Sequence, residues 1–363
     1  MTLDNNYNST SSNTIDHSKL QEFMMKAVGD MASSLGAMTI ILGDRLGLYK
    51  TMAKMGPITS EELAAQTNTA ERYIREWLAS QAASGYVTYD PTQRKYFIPQ
   101  ENAMVLAYED SPTFMMGAYQ ILRSIFKDEE KFVEIFKSGK GLRWGEHHHD
   151  LFEGTAKFFK PNYMSNLVQS WIPSLEGAEE KLKKGAKVAD IGCGYGISSI
   201  IMAKEYPNSK FYGFDNHAPS IEAAKQLSQK EGLADRVEFS VVSINESIGN
   251  DYDLVAFFDC LHDMADPIGA LKFAKQSLKE DGVCMIIEPM ANDNVEDNLN
   301  LVGKIYYAAS CMICVPNSLA DNGIALGAQA GERKTKEIAE KAGFTKFRRA
   351  SQTPFNIVYE AKS

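Results

Sequence analysis

The second half of the chain predicts an α/β domain on a mostly parallel sheet with helices on both faces, and the first half predicts a smaller, mostly helical module. Three observations carry this. From Ala186 onward, short apolar strand patterns alternate with amphipathic helical patterns, as consecutive β-α units do. The run Val188-Ala189-Asp190-Ile191-Gly192-Cys193-Gly194-Tyr195-Gly196 leads from an apolar strand through three alternating glycines into a helix, a turn of the nucleotide-binding type. Between Pro57 and Pro99 the order helix, helix, hairpin is that of a winged helix.

Length and composition bound the answer. A chain of 363 residues is long enough for two domains. Its net charge of −9 argues against broad binding to a phosphate backbone. No apolar run reaches membrane-spanning length, and the opening residues MTLDNNYNSTSSNTIDHSKL lack the basic-then-apolar form of a signal peptide. The expectation is a soluble, cytoplasmic protein that does not engage a membrane. Cys193, Cys260, Cys284, Cys311 and Cys314 fit reduced thiols better than a disulfide framework. Cys311-Met312-Ile313-Cys314 could be a redox or metal pair, but with no second CxxC it reads as two small residues on an apolar helix; the consecutive His147-His148-His149 do not converge easily on one ion, and no metal site is expected.

In chain order, residues 1–18 are rich in Asn, Ser and Thr and are expected to be a disordered tail. The winged-helix module is expected over 19–100. Its first part, Leu20 to Met55, is apolar and Met-rich with helical spacing broken near Gly36 and Gly43, and it is the expected homodimer surface. Pro57 to Glu62 and Thr69 to Ser84 give the two following helices, and 85–90 with 95–99 give the hairpin. Basic and acidic residues nearly balance here, and Glu71, Glu76 and Trp77 on the recognition-helix candidate do not suit phosphate contact beside Arg72 and Arg75. Dimerisation is therefore favoured over nucleic-acid binding.

Residues 101–182 read as a helical linker that also forms the rim of a substrate site. Within it lies the loop Gly141 to Asp150, with Trp144 and His148, and then a helical stretch containing Tyr163. The α/β domain is expected over 183–363. Its strands fall near Lys187–Ile191, 210–214, 237–242, 254–259 and 283–288, with helices after the first four. A segment of roughly forty residues follows the fifth strand, longer than ordinary connections, and its 291–330 part is expected to be a cap. Thr345 to Lys362 would close the sheet as an antiparallel pair.

In an open parallel sheet the ligand lies across the C-terminal strand ends. The glycine spacing departs from the dinucleotide fingerprint, because Gly196 stands four residues after Gly192 and Ile197 takes the place of the third dinucleotide glycine. Asp190 adds a carboxylate suited to a ligand that carries an ammonium group. Asp215 ends the second strand, twenty-three residues after Gly192, where a carboxylate can accept from ribose hydroxyls. The fourth strand runs into Asp259-Cys260-Leu261-His262-Asp263.

The glycine turn resembles motif I of the class I S-adenosylmethionine-dependent methyltransferases. The Leu-His-Asp stretch, together with the winged-helix pattern, resembles the winged-helix small-molecule O-methyltransferases. The resemblance implies a Rossmann-like seven-stranded methyltransferase sheet behind a mostly helical winged-helix domain, with S-adenosyl-L-methionine as cofactor. It implies a cofactor set of Asp190, Gly192, Gly194, Gly196, Asp215, Asn216, Ser243, Ile244 and Asp259. Ser243 stands where the family commonly has an Asp for the adenine amino group. His262, with Asp263 beside it, takes the position of the catalytic base, a role that its ordinary pKa of about 6.5 suits. Trp144, His148, Tyr163, Glu288, Tyr306, Tyr307 and Met312 are the expected walls of a small-molecule pocket.

The expected activity is transfer of a methyl group to an ionisable hydroxyl of a small molecule. Thiol, amine or metalloid acceptors, a cofactor-sensing winged-helix regulator that binds DNA, and a nicotinamide oxidoreductase are the alternatives.

Overall fold

The computed structural model describes residues 15–242 and 248–363, which divide between Ala103 and Met104 into two compact units. The expected tail over 1–18 lies mostly outside the described residues. Of its last residues, Asp16 caps a helix spanning His17–Arg45 by accepting from the backbone N–H groups of Ser18 and Lys19.

That helix departs from the sequence expectation. It runs unbroken through Gly36 and Gly43 and ends at Leu46-Gly47, where Gly47 has a φ of +67°. The reason at Gly43 is close approach, since a Cβ there would stand 2.6 Å from ring atoms of both Trp77 and Tyr49. Those two rings meet edge to face at 5.2 Å, and Trp77 donates its indole N–H to the Thr39 carbonyl at 2.8 Å. Tertiary packing thus outweighs the low helix propensity of glycine. After a short helix, Leu48–Met55, come Ser60–Thr67, which opens on a Thr59/Glu62 capping box, and Glu71–Ala83. Strands β1 (Thr88–Asp90) and β2 (Lys95–Phe97) close the hairpin, with Tyr89 opposite Tyr96.

The second unit carries a seven-stranded sheet, built from β3 (Lys187–Ile191), β4 (Lys210–Asp215), β5 (Val237–Val241), β6 (Tyr252–Phe258), β7 (Leu278–Pro289), β8 (Lys346–Gln352) and β9 (Asn356–Lys362). The order is β5-β4-β3-β6-β7-β9-β8; β3 to β7 run parallel and β9 is antiparallel to both neighbours. This is the sheet that the alternating pattern predicts. Strand β6 is buried at every position, as a strand covered on both faces must be. On one face Trp171, Leu167, Met202 and Ile221 pack against Val188, Phe211 and Leu254. On the other, Leu271, Ala274, Ile338 and Ala339 cover Ala189, Val255 and Ile286.

Helices follow β3 (Ile197–Glu205), β4 (Ala218–Lys230) and β6 (Pro267–Ser277). The helix expected after β5 falls in the connection 242–251, of which 243–247 lie outside the described residues. The long segment after β7 is helical over Leu301–Ala309, widens into a π-helical turn at Ser310–Cys314 and resumes at Val315–Ala320. Among the described residues no helix is long and apolar enough to cross a membrane.

One ring fixes the sheet against the glycine turn. Phe239 of β5 occupies the space that a Cβ would need at both Gly196 and Gly213, at 2.3 and 2.4 Å. Gly213→Ala should therefore cost about 1–3 kcal/mol through overpacking against Phe239. Urea unfolding measures this, and adding Phe239→Leu should recover part of the loss, whereas an unchanged midpoint in the single variant would show that the ring is free to shift.

Candidate active site

The parallel strands β3, β4, β6 and β7 all finish at one edge of the sheet, so Asp190, Asp215, Asp259 and Glu288 arrive there together although nearly a hundred residues separate the first from the last. Each is set in place by a different local device.

At the end of β3, Gly192, Gly194 and Gly196 all have positive φ, at +69°, +52° and +74°. Side chains rarely adopt this conformation. A Cβ at Gly194 would meet nothing within 4 Å, so the turn leaves room for a ligand against its backbone. Asp190 lies fully buried beneath it. Its Oδ2 accepts from the hydroxyls of Ser198 and Ser199 at 2.6 and 2.7 Å, while Oδ1 is buried without a hydrogen-bond partner. Burial outweighs these hydroxyls and raises the Asp190 carboxyl to about 6. Asp215 accepts from the Gly194 N–H at 2.9 Å and from the His217 N–H at 2.8 Å. Each of its oxygens keeps a further lone pair for a ribose hydroxyl. Asn216 follows it, exposed. A cradle open at Gly194, an unpartnered carboxylate oxygen below it and an acid at the next strand end fit a ligand with a cationic amino-acid end and a ribose. Ser243 and Ile244, expected at the adenine, lie outside the described residues.

The turn after β6 is the most constrained element. Asp259 sits at φ +51°, and both of its oxygens are engaged. Asn356 of β9 donates to Oδ1 at 2.7 Å, and the Tyr163 hydroxyl donates to Oδ2 at 3.2 Å. Burial, and then the nearby Glu288, raise the Asp259 carboxyl to about 8. Tyr163, expected to line the pocket, is itself buried, and its hydroxyl is committed to Asp259.

Beyond this turn, His262 is buried with its Nδ1 2.5 Å from Glu288 Oε2 and its Nε2 3.1 Å from Asp263 Oδ1. Burial alone would push the imidazole down, but Glu288 and Asp263 win and hold it well above its ordinary value. The His262-Asp263 pair is legible in the sequence. The contact with Glu288, twenty-six residues later, is not, because it depends on β7 lying beside β6.

The cap supplies the apolar side. Tyr306, Ile313 and Cys314 are buried together with Phe152, and Trp144, Met312 and Tyr195 pack on the same cluster. Trp144 is held by its backbone N–H, which donates to Asn317 Oδ1 at 2.8 Å. Tyr307 turns the other way and lines a groove of about 420 Å³ with Ile135, Phe136 and Cys311. His148 contacts Lys127 at 2.9 Å and accepts from the Asp150 N–H, in a cluster that also contains Arg123. The π-helical turn brings the Cys314 thiol within 4.8 Å of a ring nitrogen of His262 and of an Asp263 carboxylate oxygen. Asn356 is a residue of this region that sequence reasoning missed.

Comparison with known proteins agrees with this geometry. Residues 182–343 match the Methyltransferase domain family, and residues 33–108 match the Rv2258c-like winged HTH domain. The fold is similar to that of the mitomycin 7-O-methyltransferase MmcR, at 18% identity and a TM-score of 0.71 over 95% of this chain and 100% of that one. It is also similar to human N-acetylserotonin methyltransferase, solved with S-adenosylmethionine, at 16% identity and a TM-score of 0.67 over 97% of this chain and 99% of that one. In sequence, a ubiquinone biosynthesis O-methyltransferase of Actinobacillus pleuropneumoniae is 28% identical over 34% of this chain and 53% of its own length. The chain thus spans about half the length of that curated relative, and the match falls short of covering the whole of either protein. By domain content the chain carries a Methyltransferase domain behind an N-terminal winged HTH domain, and its fold is that of the class I S-adenosylmethionine-dependent methyltransferases.

Proposed function

We propose that this protein is a cytoplasmic enzyme that transfers a methyl group from S-adenosylmethionine to an ionisable hydroxyl of a small molecule. The observation that carries this reading is His262, buried against the sheet edge between Glu288 and Asp263 and beside an apolar cap. When bound on the glycine turn, the sulfonium supplies an electrophilic methyl group and leaves as a neutral thioether. The residues of the chain align the acceptor, exclude water and accept its proton. The proton passes from the acceptor hydroxyl to His262 Nε2, while Glu288 holds Nδ1 and stabilises the imidazolium that results. Five unpaired cysteines agree with a reducing compartment. A screen of phenols, thiols, amines and acids with isotopically labelled S-adenosylmethionine tests the activity and the acceptor atom together. His262→Ala should abolish turnover and spare donor binding.

Two further outcomes follow from the site. Asp215→Ala should weaken S-adenosylmethionine at least tenfold in calorimetry; unchanged affinity would take the ribose role from Asp215. The titratable groups facing His262 among the described residues are Glu288 of β7, Asp263 and Cys260 of its own turn, Asp259 at the end of β6, and Cys314 and Tyr306 of the cap. Because the carboxylates raise its pKa, the base form appears only as pH rises through a value above the ordinary one. The value of kcat/KM should therefore climb on an alkaline limb, and Glu288→Gln should move that limb to lower pH. A limb near 6.5 that Glu288→Gln leaves in place would remove His262 as the base.

A homodimer through the N-terminal helix is the partner reading. Met24, Val28, Met31, Leu35, Met38 and Leu42 are all exposed and follow a spacing of four and three over three heptads, which suits a second helix with the same stripe. DNA binding is disfavoured because Arg72 and Arg75 each pair with a carboxylate on their own helix, at 2.7 Å. Sedimentation at micromolar concentration should give a dimer, and Leu35→Glu should give a monomer of unchanged helicity.

A further inference from the structure

The imidazole of His262 is hydrogen-bonded to Glu288 on one side and lies beside Asp263 on the other, and among the described residues one buried oxygen of each carboxylate has no hydrogen-bond partner. Glu288 commits Oε2 to Nδ1, while its Oε1 is buried without a hydrogen-bond partner among the described residues. Asp263 Oδ1 lies 3.1 Å from Nε2, and it too is buried without a hydrogen-bond partner among the described residues. Glu288 as a whole is only 7% exposed. A buried carboxylate oxygen is an acceptor and nothing else, and leaving it unpaired is destabilising.

The protein's own donors nearby are already committed. Asn356 and the Tyr163 hydroxyl serve Asp259, the Tyr306 hydroxyl donates to the Phe355 carbonyl at 2.9 Å, and the Asn317 amide donates to the Asp263 carbonyl at 3.1 Å. The cap cluster that contains Cys314 also contains Ile313, with Met312 packed on it, and is largely apolar, and Cys314 brings a weakly donating thiol near His262 and Asp263. Whatever completes these oxygens must bring N–H or O–H groups, or positive charge, with it.

We propose that the acceptor is an uncharged or cationic small molecule with two hydrogen-bond donors, one on the group to be methylated, set between Nε2 and Asp263, and one reaching Glu288 Oε1. This rests on the reading of His262 as the centre of methyl transfer. Acceptors with an anionic group at this end are rejected, because one imidazolium faces two carboxylates and a third negative charge meets net repulsion. A site with buried acceptors discriminates steeply, since an analogue that lacks the donor leaves them unpaired. Tyr306, near His262 and packed in one cluster with Phe152 and Trp144, suits an aromatic ring as the carrier of the two donors.

A divalent cation could fill the same oxygens, with His262, Asp263 and Cys314 as its ligands, so the test separates the two sources. Calorimetry on the full chain, with and without S-adenosylhomocysteine, compares catechol and 2-aminophenol with 2-methoxyphenol, 1,2-dimethoxybenzene and salicylate, and a Zn²⁺ titration is run alongside. The two-donor ligands should bind about ten- to a hundredfold tighter than the methoxy compounds, salicylate should be weakest, and Glu288→Gln should erase most of the gap between catechol and 2-methoxyphenol. Equal affinities, tight salicylate, no binding by any of the five, or stoichiometric Zn²⁺ that Glu288 and Asp263 variants lose would each overturn the proposal. An absent response to S-adenosylhomocysteine would instead strike at the methyl-transfer reading, while the ranking measured without it still decides the donor rule.

Discussion

Asp259 occupies a left-handed backbone conformation that costs a non-glycine residue roughly 1–2 kcal/mol, and the site is arranged around the hydrogen bonds that hold it there. Its φ of +51° turns the chain sharply out of β6, so that His262 comes to lie over the end of β7 and not beyond the sheet. Asn356 from β9 and Tyr163 from the helix Asp150–Asn166 fix the carboxyl from two directions. Three elements distant in sequence thus converge on one residue that touches none of the reacting atoms in the proposed chemistry. An acid tolerates this conformation better than most side chains do, and burial with both oxygens engaged over-determines it.

The same economy appears at the glycine turn. Gly194 keeps its backbone open to a ligand, whereas Gly196 and Gly213 lack side chains for the sake of Phe239, whose ring fills the space between β4 and the turn. Two of the three glycines of the motif, Gly194 and Gly196, therefore answer to different partners, one outside the protein and one inside. Asp215 links the two layers, because its carboxylate holds the Gly194 N–H while lying at the end of β4. Electrostatically the edge is acidic, with four carboxyl groups at four strand ends. Burial raises those of Asp190, Asp215 and Asp259, and His262 offsets the carboxylates around it with positive charge. Such a field suits a positively charged methyl donor and disfavours a second anion.

Much of this was legible before the structure. Alternation of strand and helix patterns gave five parallel strands within a few residues of their observed bounds, because a strand buried on both faces reads as a continuous apolar run whatever its neighbours. The glycine spacing, Asp190, Asp215 and the His262-Asp263 pair are local patterns and were read as such. The helix His17–Arg45 was not, since Gly36 and Gly43 read as breaks, and the approach of Trp77 and Tyr49 to Gly43 explains why that glycine is kept inside a helix.

The chain by itself determined which segments become strands and helices, where the backbone must turn through left-handed glycines, and which acids stand at strand ends, because each depends on residues within a few positions of one another. The tertiary structure alone decided that Glu288 reaches His262, that Asn356 and Tyr163 close on Asp259, and that the π-helical turn delivers Cys314 to the same place. Those pairings follow from strand order and from the packing of the cap, and contacts between residues so far apart in the chain leave no periodicity in it to read.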